Sequence, residues 1–176
     1  VLVGNYAYLF SGDGNYSKIT VYSIASPASP TVVKTLTGAV NNSVRDPSYQ
    51  QGSFLYGLSR GLSNIHILNV SDPANPTLAY IQPYNSTFAG SMWGSGGYLY
   101  IPIDHRYSKS IEVWSVSGGT APVKVSTLNN VPGGTGSYWR TEVHNGHLYY
   151  LNGVNNGAGS YLGVYRISGG NGGNVV

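Results

Sequence analysis

Gly52–Leu58 (GSFLYGL) and Ile65–Leu78 (IHILNVSDPANPTL) decide how this chain folds. GSFLYGL is a glycine turn followed by a short aromatic and aliphatic run, and IHILNV is a second run of the same kind. SDPANP then breaks the chain with two prolines before TLA opens a third. Runs rich in β-branched and aromatic residues, bounded by Gly, Pro, Asn and Ser, predict strands. The branched side chains suit a pleated surface, and the bounding residues suit turns.

The pattern recurs along the whole chain. Upstream stand GNYAYLF (Gly4–Phe10), ITVYSI (Ile19–Ile24), the turn ASPASP and TVVKTL (Thr31–Leu36). Downstream, GGYLYIP (Gly96–Pro102) precedes IEVWSV (Ile111–Val116), and NGHLYYL (Asn145–Leu151) precedes LGVYRI (Leu162–Ile167). Anchoring on Tyr8, Tyr56, Tyr100 and Tyr149 gives steps of 48, 44 and 49 residues. Anchoring on Val21, Ile67, Val113 and Val164 gives 46, 46 and 51, so the strands keep step while the loops absorb the differences. Periods of this size mark solenoids, propellers or similar arrays. No segment repeats apolar residues at helical spacing over a helical length, so no helix is expected.

Each unit also supplies a strand before its glycine turn, most clearly Tyr138–His144. Four antiparallel strands in about 40–50 residues make a propeller blade. In IEVWSV both alternating sets are largely apolar, with Ile111 and Val113 on one face and Trp114 and Val116 on the other. A strand covered on both faces fits a blade packed between two neighbours. The sequence therefore predicts an all-β β-propeller domain of four four-stranded antiparallel blades, with units near 1–37, 38–82, 83–128 and 129–176. It is read either as a four-bladed ring or as part of a larger propeller. The terminal segment ISGGNGGNVV (Ile167–Val176) aligns without gaps to IASPASPTVV (Ile24–Val33), which ends it inside the last strand of a unit.

GNYAYLF…ITVYSIASPASPTVV and GSFLYGL…IHILNVSDPANPTLA resemble the LVIVD-repeat β-propellers. The unit of that family runs G-N-Y-A-Y-V-A, then a strand ending D-[IV]-S-[ND]-P-x-x-P, then a short strand. The likeness covers nearly the whole chain and is weaker in the last two units, where SVSGGTAP and RISGGNGG replace the proline turn. It implies a secreted or surface protein of bacterial or archaeal type, whose repeats serve as scaffolds without a defined catalytic set.

Composition points the same way. Only 9% of the 176 residues are charged, and Gly (25) and Tyr (16) are abundant, against roughly a quarter charged in typical domains. The net charge of +3 rests on nine Lys and Arg scattered singly, so no nucleic-acid footprint is expected. There is no cysteine, which excludes disulfides and thiolate metal sites. No apolar run approaches the ~18 residues of a membrane span.

Candidate chemistry is thin. Glu142, His144 and His147 lie close in sequence, but Asn145-Gly146 is a hairpin signal and the helical HExxH spacing is missing, so no metal site is expected. Asp104, His105, Arg106 and Tyr107 are read as a loop after the second strand of the third unit. An Asp beside a His works as an acid–base pair only if another reactive group converges on it. With six acidic residues in the chain, no catalytic residue is assigned. SGDGN and NGVNNGAG lack the carboxylates of a calcium loop, and no cofactor motif appears.

Binding is the better candidate. Trp93, Trp139 and Arg140 fall on or just before first strands, while Tyr16, Tyr107 and Tyr161 are read in loops after second strands. In a blade of alternating strand polarity both places open on one face. Aromatics beside Asn, Asp and Arg there suit a glycan or protein partner. Asn15, Asn41, Asn69 and Asn85 head N-x-S/T sequons, candidate glycosylation sites in a secreted protein. The sequence thus predicts a non-catalytic extracellular or cell-surface scaffold mediating protein or glycan interactions. The alternative is a structural subunit of a filament or surface layer, self-assembling through strand edges at its ends. A hydrolase is the distant third.

Overall fold

The computed structural model describes residues 1–12, 17–37, 44–59, 64–84, 90–105, 108–132, 137–154, 160–168 and 174–175. They form strands and turns, with no helix among the described residues. β1 (Leu2–Val3), β2 (Tyr6–Gly12), β3 (Ser17–Ser23) and β4 (Thr31–Thr37) make the first sheet. β5 (Val44–Gln51), β6 (Phe54–Ser59), β7 (Asn64–Asn69) and β8 (Thr77–Pro83) make the second. The third comprises β9 (Trp93–Ser95), β10 (Tyr98–His105), β11 (Ser108–Ser115) and β12 (Val123–Asn129). The fourth comprises β13 (Ser137–His144), β14 (His147–Val154), β15 (Tyr161–Ser168) and β16 (Asn174–Val175). In every sheet the strands pair antiparallel in chain order, which is the meander of a propeller blade. The chain divides into two compact units, Val1–Tyr84 and Asn85–Val176, each holding two sheets.

The repeat extends to single hydrogen bonds. The turn before each second strand has a left-handed first residue, Gly4, Gly52, Gly96 or Asn145, as tight hairpin turns require. Across that turn the backbone N–H of Ile24, Val70, Val116 and Ile167 donates to the carbonyl of Asn5, Ser53, Gly97 and Gly146, at 2.8, 2.8, 2.9 and 2.9 Å. A bulge falls at one equivalent place in three sheets, between Val21 and Tyr22, Ile67 and Leu68, and Val113 and Trp114. The bulge reorients the outer strand against the third. In the second unit of the repeat the proline turn is closed by Asp72, whose carboxylate accepts from the Ala74 N–H (3.1 Å) and the Asn75 amide (3.0 Å). The Asn75 amide, then the Ala74 N–H, hold the Asp72 carboxyl below its ordinary pKa.

Alternation gives each sheet two faces. Tyr8 with Ile19 and Val21, Tyr56 with Ile65 and Ile67, and Tyr100 with Ile111 and Val113 define the tyrosine face, the same register repeating at Tyr149 with Leu162 and Val164. Leu55 and Leu68, and Leu148 and Tyr150, lie on the reverse face. In the first unit Tyr8, Ile19 and Val21 pack against Leu55, Leu68 and Val70. In the second unit Tyr100, Ile111 and Val113 pack against Leu148 and Tyr150. Each unit is thus one tyrosine face seated on the reverse face of the following sheet. The Tyr8 hydroxyl fixes this seating by donating to the Pro73 carbonyl at 2.6 Å. Burial, then the Asp72 carboxylate, pushes its pKa up to about 12.

The reverse face carries one variable position on the third strand: Thr20, His66, Glu112 or Gly163. Its neighbour on the second strand changes size to match. Gly57 opposes His66, and Tyr150 opposes Gly163. A Cβ at Gly163 would lie 2.8 Å from the Tyr165 ring, which packs on the core of its unit. Gly163→Ala is therefore expected to destabilise the protein by about 1–3 kcal/mol through overpacking. An unchanged urea midpoint would contradict the packing described here.

Candidate functional site

The hairpin turns anchored at Gly96 and Asn145 define one end of the third and fourth sheets; the sequence-predicted site residues gather toward the other. β10 runs on to His105, with Asp104 opposite Lys109 and His105 opposite Ser108. Asp104 and His105 therefore belong to the strand ladder, not to the loop expected from sequence. The reason is an ion pair across the ladder, Lys109 Nζ to the Asp104 carboxylate at 3.2 Å, with Lys109 buried. Burial lowers the Lys109 pKa, and the Asp104 carboxylate acts against that shift. The His105 side chain, and Arg106 and Tyr107 entirely, lie outside the described residues, as do Tyr16, Asn15, Asn41 and Asn85.

Arg140 is exposed on β13 and bridges Ser91 in parallel. The buried Thr141 hydroxyl donates to the Ser91 carbonyl at 3.0 Å and approaches the Tyr100 carbonyl at 3.4 Å, while the Gly90 N–H donates to the Pro102 carbonyl at 3.0 Å. The Thr141–Ser91 bond ties β13 to the segment before β9, and the Gly90–Pro102 bond ties that segment to β10. Trp139 stands next to Arg140, opposite Asn152, and its side chain lies outside the described residues. Asn152 is completely buried, and neither atom of its side-chain amide has a hydrogen-bond partner among the described residues. A buried amide left unsatisfied costs about 1–3 kcal/mol, so a polar group that fits it gains by docking there. Burial, then Tyr165 and the Asp104 carboxylate, raises the pKa of the Tyr150 hydroxyl two residues before it.

Trp93 is not part of this cluster. It is half-buried in β9 opposite Tyr100, and Tyr100 precedes Asp104 by four positions on the same strand, roughly 13 Å at the rise of a β-strand. Asn69 ends β7 half-buried, and its side-chain oxygen accepts the Ser71 N–H at 2.9 Å. Glu142 and His144 are exposed on one face of β13, and the His147 ring bonds the Asn145 carbonyl at 2.9 Å. Among the described residues no three His, Cys, Asp or Glu converge as a metal site.

Sequence reasoning missed Lys109, Thr141 and Asn152. Lys109 carried a readable signal, since it precedes IEVWSV by two positions and shares a face with Ile111 and Val113. Asn152 carried none. Glu112 was also unread: it is buried, accepts the Trp114 indole N–H at 3.0 Å and pairs with Lys124 at 3.0 Å.

The chain is an all-β repeat protein of four propeller-type sheets. No protein-family model matches it, and no curated protein sequence is significantly similar to it. No helix among the described residues is long and apolar enough to cross a membrane.

Proposed function

We propose that this chain is a non-catalytic, extracellular or cell-surface scaffold, akin to LVIVD-repeat propellers, that binds a glycan or protein partner. The partner docks at the end of the second unit that carries Arg140, Asp104 and Asn152. The fully buried Asn152 amide, which has no hydrogen-bond partner among the described residues, is the observation that supports this reading. An amide supplies both a donor and an acceptor, and the exposed Arg140, which stands opposite Leu151 and so on the other face of the same sheet, offers a guanidinium for carboxylate, hydroxyl or carbonyl oxygens. Three carboxylates among the described residues are engaged in structural bonds, which favours binding over hydrolysis at those positions. Asp104 is held by Lys109, Glu112 by Trp114 and Lys124, and Asp72 by its own turn.

A group kept for binding at a cost in stability gives a distinctive test. Asn152→Leu is expected to leave the fold intact and stabilise it by about 1 kcal/mol, because an unsatisfied amide is removed. The same substitution is expected to abolish binding on an array of immobilised glycans and surface proteins, as is Arg140→Ala. Binding unchanged in both variants would refute the assignment.

A second reading, a structural subunit assembled through strand edges, has one observation in its favour. β4, β8 and β12 are seven residues long, whereas β16 pairs only with Ile167 and Ser168 of β15. The outer edge of Tyr161–Arg166 therefore has no ladder partner among the described residues, and an unpaired edge is a template for a strand from another chain.

A further inference from the structure

The outer ladder of the repeat is kept in three sheets and is missing from most of the fourth. β4 pairs with residues 18–23, β8 with residues 64–69 and β12 with residues 110–115. Counted from Val21, Ile67, Val113 and Val164, these stretches correspond to residues 161–166 on β15. Among the described residues that stretch has no outer ladder partner, since β16 reaches only Ile167 and Ser168. The difference lies within a single sheet. An unpaired edge is a ready template for an added strand, because its backbone donors and acceptors are already aligned.

What fits such an edge is shown three times in the molecule. Each of these outer strands has seven residues and sets its third, Val33, Ala79 or Val125, at the bulge. The fifth is β-branched, as Thr35, Ile81 or Thr127. The sixth is Leu36 in β4, Gln82 in β8 and Leu128 in β12. Both leucines pack on the core of their units, opposite Ile19 and Ile111. Leu162 stands in the place of those isoleucines, so an added strand gains from a leucine there. The first residue of each outer strand, Thr31, Thr77 or Val123, lies opposite Ser23, Asn69 or Ser115. β15 has the exposed Arg166 at that place. Opposite charges facing each other across an antiparallel pair attract, so an acidic first residue is favoured.

We propose that β15 accepts an extended segment of another protein as the outer strand of the fourth sheet. The segment runs antiparallel to β15, with Asp or Glu first, a small apolar residue third, a β-branched residue fifth and leucine sixth. A second copy of this chain is a poor donor. Its own outer strands β4, β8 and β12 begin with Thr31, Thr77 and Val123, and each is already paired in its own sheet. The inference rests on the edge noted for the second reading above and names the partner for it. It uses neither Arg140 nor Asn152.

The test is fluorescence anisotropy of labelled peptides against the purified chain. One peptide has the sequence of β4 (TVVKTLT), and a second carries Glu in place of its first threonine. Saturable binding of both is expected, tighter for the second. Asp in place of the leucine is expected to weaken either peptide by about tenfold. In Arg166→Glu the order of the two peptides is expected to reverse, a result that loss of structure would not give. The chain alone is expected to sediment as a monomer. Absence of saturable binding, indifference to the leucine, or an order that Arg166→Glu leaves unchanged would overturn the proposal. So would a chain that self-associates and is dispersed by Leu162→Lys, which would keep the edge but give it to a second copy.

Discussion

Ile111→Ala is expected to lower the unfolding free energy by about 2–5 kcal/mol, whereas Leu162→Ala at the equivalent place in the fourth sheet is expected to cost less than ~0.5 kcal/mol in dilute solution. The two residues stand on the same face of the third strand, two positions before Val113 and Val164. Chemistry and local structure are therefore nearly matched, and surroundings alone differ. Ile111 is enclosed with Tyr100, Val113, Leu148 and Tyr150. Truncating it removes apolar area from a packed seam and leaves a cavity that the neighbouring strands close only in part. Leu162 is largely exposed, so truncation there forfeits little burial. Urea denaturation of both variants, followed by circular dichroism at low protein concentration, measures the difference. Equal costs would mean that the fourth sheet is packed like the third.

Acid is expected to destabilise the protein through His66. Its ring is buried on the reverse face of β7, opposite Gly57, and neither nitrogen has a hydrogen-bond partner among the described residues. Burial lowers its pKa from the ordinary 6.5 to about 4. A depressed histidine pKa means that the folded state holds the neutral ring while the unfolded chain takes up a proton more readily. Its contribution to stability is complete above pH 6.5 and declines as the pH falls toward 4. Over that window the loss amounts to roughly 3 kcal/mol. His66→Leu removes both the titrating group and a buried ring with unsatisfied nitrogens. It is expected to flatten the pH dependence across this range and to exceed the unsubstituted chain in stability at the acid end. Parallel stability curves for the two proteins would exclude His66 as the acid-labile group.

The sheets were legible because three local signals agree at every repeat. A glycine or asparagine stands where a left-handed turn residue is needed, an aromatic–aliphatic run follows, and an apolar third strand comes next. Tyr8, Tyr56, Tyr100 and Tyr149 locate the second strands unambiguously. The ends of strands were less legible. Asp104 reads as a loop residue because carboxylates are rare in strands, and the buried Lys109 that draws it into the ladder is itself an unusual core residue. The polar seams were not legible at all. Glu112 looks like the solvent-facing member of an alternating strand, yet Trp114 and Lys124 hold it in the interior. Nothing around Asn152 in sequence sets it apart from the many asparagines of the loops. Trp93, read from its place at a first strand, lies half-buried in β9 opposite Tyr100.

The central claim is that this chain acts by holding a partner and not by turning over a substrate. The most direct measurement is saturation binding of the purified chain to an array of immobilised glycans and surface proteins, run in parallel with Asn152→Leu and Arg140→Ala. Saturable binding to a defined member of the array, lost in both variants while their folds persist, is the expected result. Binding that is absent, or indifferent to both substitutions, together with hydrolysis of a chromogenic substrate that Asp104→Asn abolishes, would contradict it.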